Sequence, residues 1–257
     1  MMRISIVTIT YNAARTLQRT LDSVARQGYD AIEHLIIDGA STDDTLRLAE
    51  QYKAKSRHEV VITSEPDRGL YDAMNKGLQR ATGDYIVFLN AGDALHAADT
   101  IQTVVSAVLS HSPQEGQGVA CVYGDTDIVD AEGHYLHPRR LRPPRQLTWK
   151  SFRQGMLVCH QAFYVRLDIA REQPYDLRYR HSADVDWCIR VMREADRRGL
   201  SLVNAQTVLA DFEEGGDTTQ HHRASLLERF TVMRRHYGLM TTLAMHAWFV
   251  VRAVVKA

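Results

Sequence analysis

Asp84-Tyr85-Ile86-Val87-Phe88-Leu89-Asn90-Ala91-Gly92-Asp93 opens on a nearly continuous apolar run and closes on small and polar residues. An apolar run without alternation marks a strand buried on both faces, as parallel strands covered by helices are. Working outward, Gly83 stops a preceding helix whose apolar stripe is Leu70, Ala73, Met74, Gly77 and Leu78. Before that helix lie a strand from Glu59 to Thr63 and the segment Ser64-Glu65-Pro66-Asp67-Arg68-Gly69. Further upstream, Ile4 to Thr10 is a β-branched run, followed by Leu17, Leu21, Val24 and Ala25 at helical spacing with Asn12 as the N-cap. Ile32 to Asp38 repeats the pattern, with Ser41-Thr42-Asp43-Asp44 as cap and first-turn acids ahead of Leu46, Leu48 and Ala49. Strands alternating with helices predict an α/β fold with a mostly parallel, doubly wound sheet.

In open α/β sheets, ligands bind outside the carboxyl ends of the strands. Here those ends read Thr10-Tyr11-Asn12, Asp38-Gly39, Glu65-Pro66-Asp67-Arg68 and Asn90-Ala91-Gly92-Asp93. Three of the four carry a carboxylate on one rim. Their mutual repulsion is offset if a cation or hydrogen-bond donors sit among them.

The rest of the chain reads less regularly. Ile101, Val104, Val105 and Val108 form an amphipathic helix, Val119 to Tyr123 a strand, and Gly124-Asp125 a turn. Pro138 to Arg145 is a basic, proline-rich loop, either a solvated crossing or a surface for phosphate or membrane. Asp184 to Arg197 and Leu226 to Tyr237 read as helices. At 257 residues, 45% hydrophobic and 24% charged, the chain has the material for a sizeable core and not the composition of a disordered one. Lys and Arg together number 31, as do Asp and Glu, so no overall field recruits nucleic acid. Cys121, Cys159 and Cys188 are too few and too dispersed for a disulfide framework, which fits a reducing compartment, and the first residues lack a signal-peptide pattern. Dinucleotide and P-loop motifs are absent, and Gly39-Ala40-Ser41-Thr42-Asp43 lacks the closing glycine of a nucleophile elbow.

Four rim motifs in this order closely resemble the family 2 glycosyltransferases with a GT-A fold: Val7 to Asn12, Ile37 to Asp43, Ser64 to Gly77 and Gly83 to Asp93. The likeness is dense from residue 3 to 95 and continues more thinly through Cys159-His160-Gln161 and Ser182 to Trp187 as far as Gly215-Gly216. It is nearest to bacterial enzymes that extend exopolysaccharide or O-antigen repeat units on a lipid carrier. The resemblance implies a nucleotide-sugar donor, a UDP-sugar favoured, a divalent cation (Mn²⁺ or Mg²⁺) on the diphosphate, and inverting attack by an acceptor hydroxyl. It makes Asp93 the metal ligand, although the family's Asp-x-Asp is here Asn90-Ala91-Gly92-Asp93 and offers one carboxylate. Asp125-Thr126-Asp127 and Asp184-Val185-Asp186 carry the competing spacing.

On the same basis Thr8, Thr10, Tyr11, Asn12 and Asp38 face the base and ribose, with Glu65, Asp67 and Arg68 as a wall and Asn90, Ala91 and Gly92 beside the phosphates. The alternative for Asp38 is a helix-capping residue in a tight turn. Asn75 and Lys76 either meet phosphate or form a solvated helix face. Asp184 is the catalytic base, alone where the family carries an acidic pair because Ala183 takes the other place, with Asp186 as its understudy. His160, Gln161, Asp186 and Trp187 face acceptor or donor sugar, His160 having a buried, hydrogen-bonded histidine as its alternative. Gly215-Gly216 suggests a close backbone approach, and His221-His222 a phosphate contact or a helix start.

The expected organisation is a glycosyltransferase domain over 1–220, with a nucleotide-binding half (1–95) and an acceptor-binding half (96–220), then C-terminal helices over 221–257. Leu239 to Val255 is apolar but interrupted by Thr241, Thr242, His246 and Arg252, and barely reaches the ~20 residues a span requires. Trp248, flanked by Arg234, Arg235, Arg252 and Lys256, suits a helix lying in lipid headgroups; packing on the catalytic domain or a homodimer partner is the alternative. The expected location is cytoplasmic, peripheral at the inner face of the cell membrane, and the expected acceptor a saccharide, lipid-linked in the nearest subgroup. Two rivals stand: an inactive glycosyltransferase-like subunit that binds nucleotide or a partner, and a glycoside hydrolase with opposed carboxylates.

Overall fold

The computed structural model describes residues 1–111, 118–215 and 222–255. In chain order its elements are β1 (Ile4–Thr10), α1 (Leu17–Ala25), β2 (Ile32–Asp38), α2 (Thr45–Lys55), β3 (Glu59–Ser64), α3 (Leu70–Arg80), β4 (Tyr85–Phe88) and β5 (Ala94–Leu95). There follow α4 (Thr100–Ser110), β6 (Val119–Val129), β7 (Tyr135–Pro138), β8 (Phe163–Arg166), α5 (Leu167–Glu172), α6 (Ala183–Arg197), β9 (Ser201–Glu213), α7 (His222–Tyr237) and α8 (Leu239–Val255). Short 3-10 turns occupy Trp149–Gln154 and His160–Ala162.

One sheet runs in the order β3-β2-β1-β4-β8-β6-β9-β5, with β7 paired on β6. β3, β2, β1 and β4 are parallel throughout, in a register that aligns Thr10 with Asp38 and Asp38 with Ser64. Beyond β4 the sheet becomes mixed: β8 is antiparallel to both β4 and β6, whereas β9 is parallel to β6. Alternation along β1 sends Ile4 and Ile6 into a core with Val24 of α1, and Val7 and Ile9 into another with Met74 and Leu78 of α3. Helices therefore cover both faces, as the apolar runs require. The larger core continues through Phe88 and Phe163 to Trp187 of α6, which stacks on Tyr175 with ring centroids 5.0 Å apart.

Three local expectations change. Asn12 does not cap α1, which starts at Leu17 with Thr16 in the cap position; Asn12 instead turns left-handed at φ 47° and its side-chain oxygen accepts the Thr42 N–H at 2.9 Å. Gly124-Asp125 is not a turn but the middle of the long strand β6. A Cβ at Gly124 would lie 2.6 Å from the Leu209 side chain and the Thr207 carbonyl, so glycine there permits close approach of β9 rather than chain reversal. Strands β8 and β9 were not legible as strands.

α7 belongs to the body of the protein. Val232 and Met233 are buried, the Glu228 carboxylate accepts the Arg180 and His181 N–H groups at 2.9 and 2.8 Å, and Tyr237 stacks on Trp149 at 5.7 Å. α8 exposes Met240, Leu243, Trp248 and Val251. Among the described residues no helix is long and apolar enough to cross a membrane. Gly216, His221 and Lys256 lie outside the described residues.

Candidate active site

The parallel strand ends are tied together by Asp38. Its fully buried carboxylate accepts from Thr10 Oγ1 (2.9 Å), Ser64 Oγ (2.7 Å), the Ser41 N–H (2.9 Å) and the Ser41 hydroxyl. Burial pushes its pKa up, but these four donors outweigh it and hold the carboxyl below the usual range, so Asp38 is a fixed anion. The bonds join β1, β2 and β3 and set the shape of the rim from behind. In front of it, Tyr11 is exposed and the Asp67 and Tyr11 side chains close over Gly39, whose Cβ would meet them at 2.5 and 3.3 Å.

A cleft of about 340 Å³ opens beside this rim, where β4, β9, α3 and α6 converge. Its lining includes Asn90, Ala91, Asp93, His160, Gln161 and Asp184, residues from three separate stretches of the chain. Asp93 is buried and raised to about 6, because desolvation outweighs the hydrogen bonds from Gln161 Nε2 (2.6 Å) and the Glu213 N–H (3.2 Å). Gln161 is itself oriented by the Cys159 thiol, which donates to its Oε1 at 2.9 Å. Asp184, in the first turn of α6, accepts from the Tyr71 hydroxyl at 3.2 Å and lies 3.6 Å from His160 Nδ1. Burial raises its pKa, but His160 and the Arg229 charge prevail and keep it below the normal carboxylate value. Asp184 is therefore ionised at neutral pH and mostly shielded from water, with a side chain 18% exposed. His160 Nε2 is 3.3 Å from Asn90 Nδ2, which completes a chain of side chains from the β4 loop to α6.

The cleft also contains residues that sequence reasoning missed. Arg15 and Arg180 line it as exposed guanidiniums at the rim. Tyr71 is buried at the start of α3, and Glu213 ends β9 with its carboxylate 3.2 Å from Arg19. Arg15 adjoins and Tyr71 lies within motifs already singled out, but Glu213 ends a strand that carries polar residues on both faces and gives no periodic signal.

Other expected site residues are placed elsewhere. Thr8 is buried and bonded to His34 Nε2 at 2.9 Å, on the side facing α2. Asn75 spends both ends of its amide on the Tyr175 backbone, at 3.0 and 2.7 Å. Lys76 donates to the Pro66 carbonyl at 2.7 Å and pairs with Glu65 at 3.2 Å, which braces the 64–69 segment. Arg68 pairs with Asp72 at 2.8 Å. Asp186 cannot stand in for Asp184: it is fully buried against Arg190 (2.6 Å) and His236 (2.8 Å), and joins α6 to α7. Trp187 is core. Asp127 groups with His96 and Asp211, whose ligand atoms lie within 4.8 Å of one another, but none of the three lines the cleft.

This fold is that of the GT-A glycosyltransferases. A profile of glycosyl transferase family 2 matches residues 5–172, and the chain belongs to that family. Among its relatives, a PGL/p-HBAD biosynthesis glycosyltransferase of Mycobacterium bovis is 37% identical over 187 residues, covering 72% of this chain and 68% of that protein. The amylovoran biosynthesis glycosyltransferase AmsB of Erwinia amylovora is 29% identical over 218 residues, covering 81% and 68%. Among solved structures, S. aureus TarS 1–349 superposes with a TM-score of 0.71 at 16% identity, over 96% of this chain and 72% of that one. The glucosyl-3-phosphoglycerate synthase of Mycobacterium tuberculosis, solved with Mn²⁺, UDP-glucose and glycerol 3-phosphate, gives 0.59 at 17% identity over 91% and 80%. The chain is thus a glycosyltransferase.

Proposed function

We propose that this enzyme moves a glycosyl group, from a UDP-sugar by preference, to a hydroxyl of a saccharide acceptor with inversion at the anomeric carbon. The observation that carries the reading is Asp184: an ionised carboxylate, fixed between Tyr71 and His160, on the wall of a cleft whose rim bears Arg15 and Arg180. A sugar hydroxyl becomes acidic only as it attacks, so a carboxylate in a partly desolvated cleft suffices to take its proton. In one displacement the acceptor oxygen bonds the anomeric carbon, the bond to the diphosphate breaks, and Asp184 takes up the hydroxyl proton. Arg15 and Arg180 are placed to stabilise the negative charge that gathers on the departing nucleoside diphosphate. Tyr11, Gly39 and Asp67 form the nucleoside side of the site, with Asp38 as its support. A divalent cation at Asp93, when bound, neutralises diphosphate charge.

The acceptor is a lipid-linked saccharide presented at a membrane surface. The exposed apolar side chains of α8 support this, as do the names of the mycobacterial and Erwinia relatives, which concern PGL/p-HBAD and amylovoran biosynthesis. The enzyme then works at the cytoplasmic face of the membrane. A melting panel with UDP, GDP, dTDP and CDP, each with Mn²⁺, Mg²⁺ or EDTA, tests the donor. Ligand at 100 times its dissociation constant stabilises by about 2.7 kcal/mol, a shift of roughly 5–10 °C at this size. A shift for UDP is the expected result, and no shift with any nucleotide rejects the donor assignment.

A further inference from the structure

The loop after β4 contributes one carboxylate to the cleft, whereas a hard cation on a diphosphate is ordinarily held by one or two carboxylates and further oxygen ligands. The structure brings a second from β9, whose Asp211 and Ala210 pair with Ala94 and Leu95 just beyond Asp93. Glu213 sits at the end of β9, and its N–H donates to Asp93 Oδ1 at 3.2 Å, so the two acids are locked together across 120 residues of chain. Its side chain then folds over Gly92. A Cβ built at Gly92 would lie 2.8 Å from Glu213 Oε2, and the backbone there has φ +105°, which L side chains rarely adopt. Position 92 is thus empty by necessity, and the Glu213 carboxylate occupies the space. Arg19 holds it there, donating to Glu213 Oε2 at 3.2 Å, to the Gly92 carbonyl and to the Asp130 carbonyl at 2.8 Å. A third oxygen is available on the same wall: Asn90 Oδ1 is buried and accepts no hydrogen bond within the described residues. All three side chains line one cleft and are hard oxygen donors, the chemistry that suits Mg²⁺ or Mn²⁺.

We infer that Glu213 is the second carboxylate of the cation site, reaching from β9 over Gly92 to act beside Asp93, with the Asn90 side-chain oxygen completing the protein's share. The inference rests on the proposal that a divalent cation accompanies the donor. It assigns the cation site jointly to the β4 loop and β9, so that the site exists only when the mixed half of the sheet is folded onto the parallel half. Arg19 serves as a positioning residue that keeps the glutamate extended over the glycine.

The test is a Mn²⁺ titration of the full chain, followed through the electron paramagnetic resonance signal of free Mn²⁺, with UDP present. Glu213→Gln is expected to weaken Mn²⁺ binding about tenfold or more, and Glu213→Asp, which keeps the charge, to lose less. UDP binding measured in EDTA is expected to be the same in all three proteins. Wild-type Mn²⁺ affinity in folded Glu213→Gln overturns the inference. If Glu213→Gln does not fold, the Asp variant decides: an affinity equal to wild type, despite the shorter reach, overturns the inference as well. Absence of Mn²⁺ binding in the wild type overturns it too, while UDP binding in EDTA still reports separately on the donor reading.

Discussion

Asp38, at the end of β2, receives four hydrogen bonds, whereas Asp93, beyond β4, receives two, and the two buried carboxylates consequently ionise at different pH. Both are taken out of water, which favours the neutral acid. At the rim over β1 to β3, hydroxyls and a backbone amide more than offset that cost, and the carboxyl stays below the normal range. In the cleft between β4 and β9 they do not, and Asp93 is raised to about 6. The first region is finished architecture, complete without a ligand. The second holds a carboxylate whose two donors do not offset its burial, which is the condition under which a cation adds most. Asp184 lies between these extremes, held by Tyr71 and His160 but still facing the cleft.

The largest effect expected from this division belongs to Asp184→Asn. Removing a general base typically costs 10²- to 10⁴-fold, so transfer should fall by about that much while UDP binding stays near wild type. Loss of nucleotide binding together with activity would move Asp184 from the reaction to the framework.

Asp38→Ala should act in the opposite way, on stability first. It leaves the Ser41 N–H without an acceptor and unties three strand ends, which costs about 2–3 kcal/mol and roughly 4–10 °C in melting temperature. Because its folded pKa is depressed, the stability contributed by Asp38 is present above the unfolded carboxylate pKa and disappears as the solution is acidified. A variant that melts like wild type would show that the four bonds hold nothing together.

Asp93 carries the reverse sign. With the folded pKa raised from 3.8 to about 6, it favours the folded state at low pH, and that contribution is lost as pH rises through about 6. The two-unit difference corresponds to about 3 kcal/mol once both states are ionised. In EDTA, Asp93→Asn should therefore gain stability relative to wild type as pH is raised from about 5 to 7.5. Adding Mn²⁺ and UDP should stabilise wild type above pH 6 and the variant little. A stability difference that is flat with pH would refute the raised pKa of Asp93.

The parallel half of the fold was legible because each apolar run there ends at a breaker: Asp38-Gly39, Pro66 through Gly69, and Asn90 through Asp93. Repetition made four strand ends visible, and physics assigns strand ends to ligands. The mixed half offers no such pattern. β8 has four residues, and β9 places Asn204, Gln206 and Thr207 amid its apolar residues and turns left-handed at Gln206. Glu213 was therefore invisible as a neighbour of Asp93, since that contact follows from β5, just beyond Asp93, pairing with β9 rather than from spacing. Asn75 and Asp186 failed for a related reason. Both are polar residues on helices near the motifs, and only the fold shows that Tyr175 and His236 already occupy them.

The smallest effect expected is also the one that separates holding a carboxylate from filling a core. Tyr71 stacks on Tyr175 at 5.5 Å, so it could serve packing alone, yet its hydroxyl reaches Asp184 at 3.2 Å. Tyr71→Phe keeps the ring and deletes the donor. A typical hydrogen bond is worth about 1 kcal/mol net, and at 3.2 Å this one is too long to gain the full strength of a bond to a charged group, so turnover should drop by roughly three- to tenfold with little change in melting temperature. The lost donor had favoured the ionised acid, so the acidic limb of the pH–rate profile should move upward by up to about one unit. A lower rate with an unmoved limb would mean that Tyr71 aligns the site without tuning it. An unchanged rate and limb would leave the ring as core and His160 as the side chain that holds Asp184 in place.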